Sequence, residues 1–368
     1  MEIKHCRRCL MPNTRPNSLF DEKPLLCQAC KNYEKRKEVD WEERNQKLKK
    51  LCDKYRRNDG HYDCLIPVSG GKDSHFLVYM MKKKMHMNPL LVTVGDPFTK
   101  TNAGIHNLRN INEAFGCDHI QFDISIELFK KVTRIGFEKL GEPLRFIEAV
   151  IYTIPAKFAV ELKIPLVVYG ENPAYEYGAT TEDNYSAKGY IRSIFENIDK
   201  GFWKKEGIQE KELNAINPPC SEKEFRETEI IFMSYFDAWS SSKHLKIAKE
   251  YGFEDLAHEW KRDGCIDDYE QIDSIGYMVH HWLKYPKFGF QRASDIASRY
   301  VREGEMSIDI ARKLIKERDY KLDQRALDDF INLLGYSPKE FWRIVEKFWN
   351  PNLFEKKNGI MQRKFNYE

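Results

Sequence analysis

The fold is decided by the stretch DCLIPVSGGKDS at residues 63–74. Residues 63–68 form a short apolar run that predicts a buried strand, and residues 73–84 predict a helix. Between them, Gly70 and Gly71 have no side chains, so the backbone can approach a ligand closely and adopt unusual dihedral angles. The stretch therefore predicts a strand-to-helix turn in which backbone N–H groups and the helix dipole face an anion.

The side chains of this turn indicate that the anion is a polyphosphate. Ser69 and Ser74 add hydroxyl donors, and Lys72 can neutralise a phosphate. Asp73 cannot bind phosphate directly, so we expect it to hold Mg²⁺ that bridges the phosphates. The predicted ATP-binding loop comprises Ser69, Gly70, Gly71, Lys72, Asp73 and Ser74, with Lys72 and Asp73 as the catalytic residues.

The loop departs from a Walker A pattern, because Asp73 follows Lys72 where that pattern has Ser or Thr. Residues 69–74 instead resemble the pyrophosphate (PP) loop of the ATP-pyrophosphatase superfamily. This resemblance implies an enzyme that cleaves ATP between the α- and β-phosphates, adenylylates a carbonyl-type oxygen and releases pyrophosphate. The alternative is a Gly-Gly turn that only joins a strand to a helix.

The pattern around the loop predicts an α/β fold. Strand and helix patterns alternate between residues 61 and 172, which favours a parallel sheet with helices on both faces. Further strands are predicted at 90–94, 119–123 and 165–169, and further helices at 102–115, 126–140 and 144–162. Pro155 should kink or split the last of these helices. From about residue 224 to the end the pattern is helical.

Two other strand ends should border the nucleotide, because open parallel sheets bind ligands at the carboxyl ends of their strands. One strand ends at Val94, where backbone groups can read adenine. Another is followed by Gly170, Glu171 and Asn172, and we expect its two polar side chains to lie over the site. The alternative for both is an ordinary strand-ending turn.

Composition and pattern divide the chain into four predicted regions. These are a cysteine module (1–33), a connecting helix (34–60), the ATP-binding α/β domain with a polar insertion from residue 173 (61–222), and a helical C-terminal region (223–368). The net charge of +3 gives no strong case for a nucleic-acid or membrane partner. The sequence shows neither a membrane-span pattern nor the apolar core of a signal peptide, so we expect a cytoplasmic protein.

The cysteine module carries two C-x₂-C pairs, Cys6 with Cys9 and Cys27 with Cys30, separated by 17 residues. Two such knuckles supply the tetrahedral set of four thiolates that Zn²⁺ prefers. Four protein ligands leave no open position on the ion, so the predicted role is structural. An iron–sulfur cluster is the alternative, since four cysteines also suit iron.

Read together, the segments CRRCLMPNTRP (6–16) and CKNYE (30–34) and the PP loop resemble the N-acetyl sugar amidotransferase family. Near the other end, YPKFGFQRASD (285–295) and REG (302–304) resemble that family's basic, glycine-containing signature. The resemblance spans nearly the whole chain. It implies a PP-loop enzyme of bacterial surface-glycan biosynthesis, acting on lipopolysaccharide O-antigen or flagellin glycans.

The reaction implied by this resemblance converts an N-acetyl group on a sugar into an acetamidino group. ATP adenylylates the amide oxygen, and ammonia then displaces AMP from that carbon. The sequence shows no Cys–His arrangement of a glutaminase, and the family draws ammonia from a separate glutamine amidotransferase resembling the histidine-biosynthesis pair. The sugar stays open between a nonulosonic acid, such as pseudaminic or legionaminic acid, and a nucleotide-linked sugar.

Sugar contacts are predicted in residues 277–295 and just past the fourth strand. Lys287 and Arg292 can bind a carboxylate or a nucleotide diphosphate, Arg through a bidentate fork. The histidines can supply a polar contact or accept a proton. The predicted contacts are Tyr175, Glu176, Tyr177, His280, His281, Lys287 and Arg292. The alternative is a solvated basic helix face.

Two other functions share parts of this pattern. A tRNA-modifying thiolase has the same loop and often has cysteine knuckles, but no C-x₂-C follows Cys30 and the near-neutral charge is poorly suited to RNA phosphates. The other is a binding module that only senses ATP, but this role would not account for the long C-terminal region.

Overall fold

The computed structural model describes residues 3–23, 25–217, 222–365 and 367. Residues 218–221, in the predicted insertion, lie outside this range. The strands are β1 (Phe20–Glu22), β2 (Leu25–Cys27), β3 (Cys64–Pro67), β4 (Pro89–Val94), β5 (Asp118–Phe122), β6 (Leu166–Tyr169), β7 (Glu229–Phe232), β8 (Phe354–Lys357) and β9 (Ile360–Arg363). The first helices are α1 (Gln28–Lys35), α2 (Trp41–Tyr55), α3 (Lys72–Val78), α4 (Asn102–Phe115), α5 (Ile126–Ile135), α6 (Arg145–Glu161), α7 (Pro173–Glu176), α8 (Lys188–Asn197), α9 (Lys200–Lys205) and α10 (Glu222–Glu227). The later helices are α11 (Ser241–Glu250), α12 (Met278–Trp282), α13 (Lys284–Phe288), α14 (Arg292–Glu303), α15 (Ile308–Arg318), α16 (Gln324–Leu334) and α17 (Pro338–Val345).

The central sheet has five parallel strands in the order β5-β4-β3-β6-β7. The predicted α/β fold with a parallel sheet is therefore confirmed. The strand order reverses between β3 and β6, so the loops after these two strands open onto the crevice where such sheets bind ligands. The strand β7 was missed, because residues 224 onward were predicted to be helical and four residues are too few to show a strand pattern.

Helices cover both faces of this sheet, because alternate strand residues point to opposite sides. One face carries Ile66, Leu91, Val168 and Ile231 against α2, α3 and α4. The other face carries Leu65, Leu90, Val167 and Ile230 against α6 and α8.

Helix α6 runs without interruption through Pro155, so the predicted split is wrong. A proline inside a helix costs about 3 kcal/mol through the lost hydrogen bond and ring clash. Burial of the apolar residues around Pro155, such as Val150, Ile154 and Ala159, offsets this cost. In two other predicted helices, the α-helical part is shorter than expected. Helix α3 continues as a π-helical segment at Tyr79–Lys84, and α5 continues as one at Gly136–Leu140.

The C-terminal region is mainly helical, as predicted, and shares a core with the α/β domain. Phe330 of α16 and Phe341 of α17 pack in one apolar cluster with Phe129 of α5 and Phe146 of α6. The helical pattern missed the terminal hairpin β8–β9. The predicted polar insertion after residue 173 contains the short helices α7, α8 and α9, whose buried anchors include Ile191 and Trp203.

Candidate functional site

The PP loop joins β3 to α3 and passes close to α4. Gly70 has φ of 81°, and a Cβ there would lie 3.0 Å from the backbone nitrogen of Leu108. Both the positive φ and this close approach require glycine. The backbone N–H of Ser69 donates to Oγ of Ser74 over 3.0 Å, which closes the loop over the first turn of α3.

Lys72 is buried at the end of this loop, with only 2% of its side chain exposed. Its Nζ lies 2.8 Å from Oδ2 of Asp73 and 2.8 Å from Oε1 of Glu270. Burial alone would lower the pKa of Lys72, but Asp73 and Glu270 outweigh burial and raise it. Lys72 is therefore a fixed positive charge held between two carboxylates.

Asp73 is held from the other side by His244 of α11. Nδ1 of His244 lies 2.7 Å from Oδ1 of Asp73, and its ring stacks on Phe76 with centroids 3.9 Å apart. Burial lowers the pKa of His244, so a neutral ring donates its Nδ1–H to Asp73. Burial acts to raise the pKa of Asp73, but Lys72 and His244 lower it to about 2, so this carboxyl group is ionised.

Glu270 is a second buried carboxylate beside the loop, and three cations contact it. Besides Lys72, Arg292 donates from Nη2 to Oε2 over 3.0 Å, and Arg299 donates to Oε1. The hydroxyl of Ser241 donates to Oε1 over 3.0 Å. Although burial acts to raise its pKa, the three cations lower the pKa of Glu270 well below its usual value. Two arginines of α14 are thus tied to the lysine of the PP loop.

One cleft opens at the carboxyl ends of β4 and β5, with a volume of about 580 Å³; we call it the β4–β5 cleft. Its walls include Ser69 of the loop and the predicted residue Val94, with Gly95 beside it. Thr93 and His119 sit below, where Oγ1 of Thr93 donates to the carbonyl oxygen of Val68 over 2.7 Å. Val94 and Gly95 are partly buried in the wall of this cleft, beside Ser69 of the PP loop.

A second cleft, of about 1010 Å³, opens between the loop after β6 and helix α14; we call it the β6–α14 cleft. Asp73 and Glu171 lie in its wall on the sheet side, and Glu270, Arg292 and Arg299 lie in its wall on the C-terminal side. The two clefts therefore border the PP loop at different residues, one at Ser69 and the other at Asp73.

Glu171 makes no hydrogen bond or ion pair with the other described residues. Burial and the neighbouring charge of Asp73 raise the pKa of Glu171 to about 7. Gly170 precedes it, and a Cβ there would lie 2.8 Å from Cη2 of Trp239. Asn172 turns the other way and caps α7, accepting from the backbone N–H of Ala174 over 3.1 Å. The predicted pair after β6 thus splits, with Glu171 in the cleft and Asn172 in the local turn.

The structure separates the predicted sugar contacts into two groups. Tyr177, His281 and Arg292 line the β6–α14 cleft. The other four point to protein partners. Lys287 pairs with Glu142, His280 pairs with Glu148, Glu176 pairs with Arg36, and the hydroxyl of Tyr175 donates to the carbonyl oxygen of Asn32.

His281 is 92% buried in the wall of this cleft, and neither ring nitrogen has a hydrogen-bond partner among the described residues. Burial and then the charge of Lys284 lower its pKa well below the usual value, so the ring is neutral. Arg145 is exposed at the same cleft and forms no ion pair in the described part of the chain, although its charge acts on Glu148. These two side chains are available to polar groups of a bound molecule.

The four cysteines of the N-terminal module form one buried cluster. Their Sγ atoms all lie within 4.8 Å of one another. Sγ of Cys6 is 3.7 Å from that of Cys30, and Sγ of Cys9 is 3.6 Å from that of Cys27. With zinc–sulfur bonds of about 2.3 Å, a tetrahedral site places its sulfurs about 3.8 Å apart. The cluster therefore fits a single tetrahedral metal ion.

The cysteine module also forms part of the β6–α14 cleft. Arg15 lines the cleft, where its Nη1 donates to Oδ1 of Asp295 over 2.7 Å, and its guanidinium lies 4.5 Å from the ring centroid of Tyr177. Arg302, three residues beyond Arg299 on α14, reaches the cysteine cluster, with its Nη1 3.8 Å from Sγ of Cys9. One helix thus lines the cleft, contacts the cysteine cluster and reaches Lys72 of the PP loop through Glu270.

Sequence reasoning missed four residues of this site: His244, Glu270, Arg299 and Arg145. Arg299 follows Arg292 by seven residues, two helical turns on the same face, and this spacing was available in the sequence. His244 and Glu270 stand in no motif, and only the tertiary contacts with Lys72 and Asp73 identify them.

Residues 254–366 match the family model described as "LPS biosynthesis protein WbpG-like, C-terminal domain". This match confirms, over that part of the chain, the surface-glycan family resemblance found in the sequence. The match contains Glu270, Arg292 and Arg299. The matched domain therefore supplies Glu270, which contacts Lys72, and the two arginines that contact Glu270.

Among curated proteins, an uncharacterized protein (MJ1599) from Methanocaldococcus jannaschii is 28% identical over 121 residues, which are 33% of this chain. The chain spans 41% of the length of that relative. Among the described residues, no helix is long and apolar enough to cross a membrane.

Three solved structures are similar at low TM-scores. An NH3-dependent NAD synthetase from Campylobacter jejuni has TM-score 0.30 and 16% identity, covering 46% of this chain and 80% of its own. The U34-tRNA thiolase NcsA from Methanococcus maripaludis, with its [4Fe-4S] cluster, has TM-score 0.35 and 14% identity, and the match covers 90% of this chain and 97% of the thiolase chain. An NMN synthetase from Francisella tularensis has TM-score 0.35 and 12% identity, covering 82% and 96%. These likenesses are too weak to assign a substrate to this chain.

Proposed function

We propose that this protein is an ATP-dependent amidotransferase that converts the acetamido group of an N-acetylated sugar into an acetamidino group, for lipopolysaccharide O-antigen or flagellin glycan biosynthesis. One observation carries the proposal. Asp73 of a PP loop and residues of a WbpG-like C-terminal domain line one cleft, and Lys72 of the loop contacts Glu270 of that domain. Fold alone does not give function, and this site is what supports the proposal.

ATP lies along the PP loop with its base in the β4–β5 cleft. The strand ends at Val94 offer backbone groups to adenine, and Ser69 and the glycines lead to the phosphates. The α-phosphorus then comes to the end of the loop, at Lys72 and Asp73. Mg²⁺, when bound, neutralises phosphate charge there, and Asp73 with Glu171 supplies the carboxylate oxygens that this ion prefers.

The N-acetylated sugar lies in the β6–α14 cleft, where His281 and Tyr177 offer polar contacts. The amide oxygen attacks the α-phosphorus, the bond from that phosphorus to the β-phosphate oxygen breaks, and pyrophosphate leaves. This activation is required because an amide oxygen is a poor leaving group and AMP is a good one. The fixed charge of Lys72 and the orientation of the two reactants supply most of the rate acceleration.

Ammonia then adds to the activated carbon, the carbon–oxygen bond breaks, and AMP leaves with the former amide oxygen. The nitrogen loses protons to give the acetamidino group. Ammonia comes from a separate glutamine amidotransferase that resembles the histidine-biosynthesis pair. The sugar is a nonulosonic acid, such as pseudaminic or legionaminic acid, or a nucleotide-linked sugar.

The metal of the cysteine module is zinc in a structural role. The Sγ spacing suits one ion, whereas a cluster of several iron atoms needs more widely spaced thiolates, because each thiolate binds a different iron. With four protein ligands, the ion has no position left for substrate.

The sulfur chemistry of a tRNA thiolase finds no support in the positions of the other cysteines. Among the described residues, the single cysteines Cys52, Cys64, Cys117 and Cys265 are all buried, and none lines either cleft. A sulfur carrier would need a thiol that reaches the α-phosphate end of the PP loop.

The test is mass spectrometry of candidate acetamido sugars incubated with the protein, ATP, Mg²⁺ and ammonium. Replacing the acetamido oxygen by NH lowers the mass by about one unit, as expected for this reaction class. Pyrophosphate and AMP should form only when the right sugar is present. If no sugar of either class changes mass while ATP binds normally, the amidotransferase proposal is wrong, and pyrophosphate release that depends on tRNA would support the thiolase instead.

A further inference from the structure

Three cations converge on one carboxylate in the wall of the β6–α14 cleft. Lys72, Arg292 and Arg299 all contact Glu270, although they come from two distant parts of the chain. Positive side chains of this density are rarely buried together without a large anionic ligand or partner. Glu270 alone carries a single negative charge, so it does not balance the three.

The charge count leaves this group net positive. Lys72, Arg292 and Arg299 contribute three positive charges, and Glu270 and Asp73 remove two, which leaves +1. Glu171 lies in the same cleft wall but forms no ion pair with any of the three cations, which pair with Glu270 instead. An anion that entered here would therefore meet a favourable field.

The two arginines also have hydrogen-bonding capacity that is not used. Nε of Arg292 and Nε of Arg299 are buried and have no acceptor among the described residues. Arg292 is 92% buried, and both arginines line the cleft that contains Asp73. A buried donor without an acceptor is unfavourable, so these positions favour a ligand that brings acceptor oxygens.

We propose that Lys72, Arg292 and Arg299 form an anion subsite in the β6–α14 cleft, that Glu270 is its resident counter-ion, and that a phosphoryl group derived from ATP is its ligand. The guanidinium fork of arginine fits phosphate oxygens in a bidentate way, which a lysine cannot do. The identity of the ligand rests on the proposed function, whereas the subsite rests on the contacts alone.

This assignment gives α14 a part in the chemistry. Charge on the phosphoryl oxygens is greatest while the bond to pyrophosphate breaks and again when AMP leaves the activated carbon. Arg292 and Arg299 can then donate to the phosphoryl group, while Glu270 keeps them aligned when that group is absent. Arg292, predicted to bind sugar, thus serves the phosphate in this assignment.

Binding of AMP and of inorganic pyrophosphate, each measured by calorimetry with Mg²⁺ and without any sugar, tests the subsite. Glu270→Gln keeps the three cations and raises the net charge of the group from +1 to +2. We expect it to bind one of the two ligands about tenfold more tightly than the wild type. Tighter AMP binding assigns the subsite to the α-phosphoryl group, and tighter pyrophosphate binding assigns it to the leaving group. If neither ligand binds more tightly, the proposal is wrong, since a purely structural Glu270 would leave binding unchanged or weaken it.

A second variant covers the case in which Glu270→Gln does not fold. Arg299→Gln removes one cation and one fork, and we expect about tenfold weaker binding of the same ligand. Arg299→Lys keeps the charge but loses the fork, so its affinity for the ligand should lie between those of Arg299→Gln and the wild type. Arg343→Gln, at an exposed position of α17 outside both clefts, is the control and should bind as the wild type does. Unchanged binding in Arg299→Gln would overturn the proposal. These measurements need no acceptor sugar, so they can succeed even if no amidino product is ever found.

Discussion

Arg15 of the cysteine module donates a 2.7 Å hydrogen bond to Asp295 of α14, across 280 residues of sequence. Asp295 is buried and Arg15 is partly buried, with 3% and 14% of the two side chains exposed. Asp295 also accepts from Nζ of Lys284 over 3.1 Å. The metal-binding module is therefore part of the wall of the β6–α14 cleft, and its integrity should affect the cleft at a distance.

Loss of the metal should loosen this cleft. In Cys30→Ser the four-thiolate site is incomplete, so metal should be lost and hydrogen exchange should increase in residues 173–180 and in α14. The exchange of α3 should change much less, because its core contacts lie in the α/β domain. Cys117→Ser is the matched control, since this cysteine is buried but lies outside the cluster. Equal exchange in Cys30→Ser and wild type would show that the module does not support the cleft.

Removal of the Asp73 carboxylate should stop the reaction without disturbing the metal module. Asp73→Ala loses the predicted Mg²⁺ ligand and the partner of Lys72 and His244, so pyrophosphate release should fall by about 10²–10³-fold. The metal content should stay at the wild-type level by elemental analysis. Asp309→Ala, an exposed change on α15, serves as the control. Loss of metal in Asp73→Ala would mean that the two sites are coupled more tightly than their contacts indicate.

Mg²⁺ binding should depend on pH through Glu171. Its pKa is raised to about 7, so the group is mostly protonated at pH 6 and mostly ionised at pH 8. A carboxylate binds the ion and a carboxylic acid does not, so Mg²⁺ affinity, measured in the presence of ATP, should increase from pH 6 to pH 8. Glu171→Gln should bind the ion more weakly and with a smaller pH dependence than the wild type, since only the terminal phosphate of ATP still titrates in this range. A pH-independent affinity in the wild type would remove Glu171 from the metal site.

Acid should destabilise the protein through His75, which supports the PP loop. Its Nδ1 lies 3.1 Å from the carbonyl oxygen of Gly71, and its Nε2 lies 3.1 Å from Nδ2 of Asn110. Burial lowers the pKa of His75 from 6.5 to about 4. Between these values the unfolded chain binds more protons, so stability is complete above pH 6.5 and falls as the pH decreases towards 4.

The size of this effect is up to about 3 kcal/mol, from the difference between the two pKa values. Urea unfolding at pH 7 and pH 4.5 should therefore show a larger loss in the wild type than in His75→Gln, which has no titrating ring. His61→Gln, at an exposed position, is the control and should lose as much unfolding free energy between pH 7 and pH 4.5 as the wild type does. Equal losses in His75→Gln and wild type would contradict this account of His75.

Gly178 is required for the contact between the loop after β6 and the cysteine module. Its φ is 76°, and a Cβ there would lie 2.5 Å from the backbone nitrogen of Ala29. Gly178→Ala should therefore displace the loop and lower the free energy of unfolding by more than about 1 kcal/mol. Gly189→Ala is a matched control in α8, where a Cβ has open space. This change should raise the free energy of unfolding by about 0.5–1 kcal/mol. If Gly178→Ala and Gly189→Ala changed the free energy of unfolding equally, Gly178 would not be required for this contact.

The sequence predicted best those elements whose evidence is local. The PP loop, the cysteine pairs and the first four strands of the sheet each follow from neighbouring residues or short periodic patterns. Helix α4 was correct to its end at Gly116, which adopts the left-handed conformation that such a helix end favours.

The errors arose where tertiary contacts override local signals. Pro155 sits inside a continuous helix because the surrounding apolar burial exceeds the cost of one lost hydrogen bond. Lys287 carries the same charge as Arg292, and no local rule separates the one that pairs with Glu142 from the one that enters the cleft. The partners Glu270 and His244 lie 198 and 172 residues beyond Lys72 in sequence, so only the folded chain brings them together.

Helix α14 presents Arg292, Asp295, Arg299 and Arg302 to three different regions of the molecule. This limits how new specificities can arise among related enzymes. A chimaera that exchanges only the C-terminal domain would combine one enzyme's arginines with another's lysine loop and metal module, and mismatched charges would remain buried. Recombination at the domain boundary should therefore produce inactive proteins, whereas substitutions at the cleft mouth, such as at Arg145, leave the shared helix intact. Changes in substrate range are therefore expected first through substitutions at the cleft mouth and only later in residues deeper in the cleft.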